Sequence, residues 1–89
     1  MKLRRFWFTF ELTLREPHPP GVLMGCGVTA VDEADAIRIL KNRVFGSDLL
    51  PEIKTTVTDV DMSKLDQHHV LPNIGDPTTR GVWFPLGYS

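Results

Sequence analysis

The chain has 89 residues, enough for one domain with a single modest core and too few for two. Charged residues make up 24% and hydrophobic ones 42%, which excludes a disordered chain, and a net charge of −1 argues against a general nucleic-acid binder, whose phosphate contacts need a basic surplus. One cysteine excludes an internal disulfide, and no apolar run approaches the length of a membrane span, so a cytoplasmic protein with no membrane segment is expected.

The N-terminal Lys2-Leu3-Arg4-Arg5 followed by Phe6-Trp7-Phe8 has the outline of a signal peptide. Glu11 and Arg15 interrupt the apolar run and no small-residue cleavage site follows, so a strand is the better reading. Residues 4–15 alternate: Phe6, Phe8, Phe10, Leu12 and Leu14 fall on one face, with Trp7 and Thr9 on the other. The loop Glu16-Pro17-His18-Pro19-Pro20-Gly21 follows, and its three prolines cannot donate to a ladder. A second strand starts at Val22 and repeats at Met24, Cys26, Val28 and Ala30. Gly25 and Gly27 lie on its opposite face, where glycine inside a strand marks a bulge or a bulky neighbour close over the backbone. Trp7 is the candidate neighbour.

At Asp32 the period changes from two to helical. Ala36, Ile37, Leu40 and Val44 form an apolar stripe, Asp32 is placed to cap the first turn, and Asp35 is a short version of the capping-box acid. Gly46 offers the left-handed residue that ends the helix. Residues 53–60 are rich in Thr and Val and read as a third strand, with Ile53, Thr55 and Val57 on one face. A right-handed crossover then gives an α+β fold, β-β-α-β, with a three-stranded antiparallel sheet in the order 2-1-3 and the helix on its phenylalanine face. Beyond it, Asp61 and Asp76 each head a short helical turn. The rest is an irregular, aromatic-rich C-terminal segment packed on the sheet. No linker divides residues 1–89, which are read as one α+β domain.

The G-C-G-V-T-A strand-to-helix step at 25–30 and the closing R-G-V-W-F-P-L-G-Y at 80–88 resemble a group of short bacterial orphan proteins. The resemblance covers residues 21–88. It implies a bacterial cytoplasmic origin and attaches no activity, cofactor or site residue.

Candidate chemistry is sparse. Cys26 shares the apolar face of its strand and lies six residues before the helix, too far to feel its dipole, so a structural thiol is expected. His68 and His69 are adjacent, point to opposite sides in extended chain, and match no metal-ligand spacing. Asp59, Asp61, Asp66 and Asp76 follow no calcium-loop pattern and read as turn residues. Arg4, Arg5 and Arg15 around Trp7 could support base stacking, but one tryptophan carries that idea alone. Apolar surface is in excess: Trp7 lies on the second face of the sheet, and Ile39 points away from the helix stripe. These two with Trp83, Phe84 and Tyr88 form the candidate interaction surface. The expectation is a non-catalytic protein-interaction module, an inhibitor or immunity-type protein, homodimeric, with no metal and no cofactor. The alternative is a small-molecule-binding protein or minor enzyme using Cys26 or the His68/His69 region, and third comes single-stranded nucleic-acid binding around Trp7.

Overall fold

A computed structural model of the protein describes residues 2–11, 24–46 and 50–85. Four strands form the sheet: β1 (Arg4–Phe10), β2 (Cys26–Ala30), β3 (Ile53–Thr58) and β4 (Gly81–Phe84). Their order is β3-β1-β2-β4, with every neighbouring pair antiparallel. The three-stranded sheet expected above is therefore corrected to four strands. β1 lies between β2 and β3, and the new strand comes from the segment that reads as irregular tail. Val82-Trp83-Phe84 is too short to show a period, and a register shift where β4 meets Gly27 and Val28 puts Trp83 and Phe84 into the same cluster. That bulge erases the alternation by which a strand is recognised.

α1 (Glu33–Leu40) continues as a π-helical stretch over Lys41–Phe45 and stops at Gly46, whose φ is 63°. Asp32 caps it, accepting a hydrogen bond of 2.8 Å from the Asp35 N–H. The stripe that faces the sheet is Ala36, Ile39, Leu40 and Val44, at i, i+3, i+4 and i+8, with Ile37 half-buried at its margin. Ile39 is 5% exposed, so the expectation that it points outward is corrected. Centring the arc on Ile37 had rotated the stripe by one residue.

The first core layer joins this stripe to Phe6, Phe8, Phe10, Cys26, Val28 and Ala30. Phe10 meets Phe45 edge-on at 5.5 Å. A bulge opposite Thr9 and Phe10 sets Ile53 against Phe10 but Val57 against Trp7. Ile53 and Val57 thus fall on opposite faces, contrary to the uninterrupted alternation expected. Asp59, with φ 55°, ends the strand.

A second apolar layer lies on the other side of the sheet, where Trp7, Trp83 and Phe84 pack with Val60 and Val70. Residues 59–80 cover it with short turns. Met62–Lys64 is one 3-10 turn, its first N–H groups held by Asp61, and Leu71–Asn73 is another. Asp76 heads a non-helical turn rather than the expected helical one, accepting from the Thr78 N–H and the hydroxyls of Thr78 and Thr79. Leu12, Leu14, His18, Val22, Leu86 and Tyr88 lie outside the described residues.

Candidate functional site

Three places in the fold gather the candidate residues: the aromatic layer, the helix N-terminus, and the outer strand β3. In the aromatic layer the Trp7 ring lies 5.9 Å from Trp83 and 5.6 Å from Phe84, both tilted. Trp7 pairs with Gly27 across the ladder and covers Gly25, while Trp83 covers Gly27 itself. The two glycines leave room for two indoles, which is the close approach that glycine in a strand implies. Trp7 is 7% exposed and Trp83 1%, so both belong to the chain's own interior. The excess surface expected at Trp7, Trp83 and Phe84 is taken up by the turns of residues 59–80, and a base has no open face of Trp7 on which to stack. The Trp83 indole N–H is buried with no hydrogen-bond partner among the described residues.

At the helix N-terminus, Asp35 is buried and accepts two hydrogen bonds from Arg80, the Nε bond being 2.9 Å. Its carboxylate also takes the Val31 N–H at 3.2 Å and lies 3.5 Å from Arg38. The forked bond from Arg80 holds its pKa down at about 2. Beside it the buried Thr29 hydroxyl donates to the Pro77 carbonyl. These two contacts fasten the turn before β4 to the helix and to β2. Sequence reasoning gave Asp35 only its capping role, since nothing in the spacing of residues 35 and 80 signals their pairing. A carboxyl whose folded pKa lies below its unfolded value contributes stability that is present above about pH 4 and lost as pH falls toward about 2. The denaturant midpoint of the native protein should fall across that window, and Asp35→Asn, less stable at neutral pH, should show a shallower fall. Equal slopes would mean that the pair contributes nothing to acid sensitivity.

The remaining polar candidates have local partners. Cys26 is fully buried and its thiol is pushed up to about 12 by desolvation, so it is neither exposed nor ionised near neutral pH. His68 and His69 are exposed, and their backbone N–H groups both donate to Asp66, which the His69 contact holds below the usual carboxylate range. Asp61 is lowered likewise by Ser63, and Asp76 by Thr78. Arg4 forms a forked ion pair with Asp59 at the exposed end of β1, with bonds of 3.1 and 2.6 Å. No group of three His, Cys, Asp or Glu side chains is placed to hold a metal among the described residues.

β3 is different. Among the described residues it is the outer strand on its side, exposed from Lys54 to Thr58 on both faces of the sheet. Thr55 and Val57 face the tryptophan side, Thr56 and Thr58 the helix side, and α1 packs on β2 and β4 instead. Val57 is 43% exposed. An outer strand carries a row of outward N–H and C=O groups that can accept another strand. The 2-1-3 order expected from the sequence already puts this strand at an edge, and what composition does not show is its exposure on both faces.

Comparison with protein-family models, with curated proteins and with solved structures found no match. No helix among the described residues is long and apolar enough to cross a membrane.

Proposed function

We propose that the chain is a bacterial cytoplasmic, non-catalytic protein-interaction module, of the inhibitor or immunity type, and that it recognises other chains by adding a strand to β3. The observation that carries this reading is the exposure of β3 on both faces and along its outer edge. Trp7, Trp83 and Phe84 are spent inside the fold, and the thiol and the described carboxylates that lie near candidate sites are spent on packing, caps and turns. Strand addition draws affinity from backbone hydrogen bonds and specificity from the side chains that alternate between the faces.

The test compares the native chain with Thr56→Glu and Cys26→Ala, for association with itself and with the products of adjacent genes. Thr56→Glu should stay folded, with a cooperative melt, and lose association, its melting temperature falling by no more than the lost self-association contributes. Cys26→Ala should associate normally while losing about 1 kcal/mol of stability, as a small buried truncation does. Association that survives Thr56→Glu would place the interface elsewhere. Rapid alkylation of the native thiol near neutral pH, with loss of an activity, would replace this reading with an enzymatic one.

A further inference from the structure

The geometry points to a second copy of the same chain as the occupant of the β3 edge, paired antiparallel about a twofold axis beside Thr56. This rests on the strand-addition reading above and names its partner and register. A twofold axis normal to a sheet keeps each side chain on its own face, so in any symmetric antiparallel pairing one residue must oppose its own copy. The usable stretch is bounded. The bulge opposite Thr9 and Phe10 disturbs the start of β3, and the left-handed Asp59 ends it. Centring on Thr55 would draw in Ile53, which is packed against the phenylalanine layer. Centring on Val57 would set Thr55 against Asp59, beyond the end of the strand. Centring on Thr56 pairs Thr55 with Val57 on the regular part of β3, between the bulge at Lys54 and the left-handed Asp59.

In that register the three central pairs join β-branched residues, which suit facing positions on a pleated surface. Each exposed Val57 is covered by the Thr55 of the other copy, and no two like charges meet directly. Thr56 and Thr58 are exposed although they lie on the helix side, so α1 does not obstruct a second sheet edge. A net charge of −1 adds little repulsion between copies. The result would be one continuous eight-stranded sheet, twice the four strands of each chain.

Light scattering on the native protein should give a dimer at micromolar concentration. Thr56→Glu and Thr56→Lys should each be folded monomers, because each places like charges face to face, and an equimolar mixture should give a mixed dimer. Thr56→Cys should form an inter-chain disulfide under mild oxidation, against a native Cys26 that is buried and unreactive. Thr55→Cys, which opposes Val57 in this register, should not. A native monomer would overturn the self-pairing. A native dimer that persists in both charge variants, or fails to reform on mixing them, would overturn it too. Loss of a heterologous partner by Thr56→Glu in a chain that is natively monomeric would leave strand addition standing and refute only the second copy as occupant.

Discussion

A chain ending at Gly81 is expected not to fold. The cut removes Val82, Trp83 and Phe84, which are 3%, 1% and 5% exposed, and with them the strand that pairs with β2. Replacing a buried Trp or Phe by alanine costs about 3–5 kcal/mol, so losing two such side chains and a ladder is comparable to the about 5–15 kcal/mol that holds a typical domain together. The layer on the tryptophan side would also open, since Trp83 is its most buried aromatic side chain and the Trp83 carbonyl accepts the Gly75 N–H at 2.7 Å. Circular dichroism and thermal melting check this directly. A truncated chain with a cooperative transition at the native temperature would show that β4 is dispensable. Trp83→Ala in the full chain, with an expected loss of about 3–5 kcal/mol by the same measure, separates the ring's contribution from the strand's.

The second large effect belongs to Gly27. A methyl group added there would lie far inside contact distance of the Trp83 six-membered ring. That ring is 1% exposed and packs against Trp7 at 5.9 Å, so it has little room to retreat. Gly27→Ala should therefore cost about 1–3 kcal/mol or more as overpacking, read as a fall in denaturant midpoint. Gly46→Ala is the control. Among the described residues no atom stands within 4 Å of the added carbon there, and the backbone is left-handed, at φ 63°. A smaller loss, about 1 kcal/mol, is expected from that strain. Adding Trp83→Leu should relieve part of the Gly27→Ala penalty, because it removes the atoms with which the methyl collides. Full tolerance of Gly27→Ala would mean that the two indoles are not packed as described.

The contrast between these glycines shows where the sequence was readable. Local signals survived: the Asp32 cap, the Gly46 stop and the phenylalanine face of β1 all depend on residues within a turn or on one strand, and the glycines of β2 marked a close approach without naming Trp83 as the ring over Gly27. What was missed depends on long-range pairing. Asp35 and Arg80 meet across 45 residues of chain, and each has a sufficient local explanation without the other. β4 was hidden by its bulge, and once it is counted as a strand the sheet has a second covered face. The apolar excess that pointed to an interface at Trp7 and Ile39 is then absorbed by the chain's own two layers. The 2-1-3 order inferred from the sequence already places β3 at an edge, and what composition could not show is that α1 packs on β2 and β4 and leaves β3 uncovered.

The place of β4 in the order of synthesis has a consequence of its own. β2 emerges among the early elements, yet its second neighbour is made only after residues 59–80, and those residues are themselves the cover of the tryptophan face. Until Gly81–Phe84 have left the ribosome, a growing chain holds β2 with one open edge and Trp7 without its ring partners. Exposed edges and aromatic faces are what nascent chains lose to aggregation. Residues 81–84 therefore close the second edge of β2 and complete the ring cluster around Trp7 in each new molecule. A substitution that slows their docking could halve the yield of folded protein in a cell while leaving the finished molecule's melting temperature almost untouched.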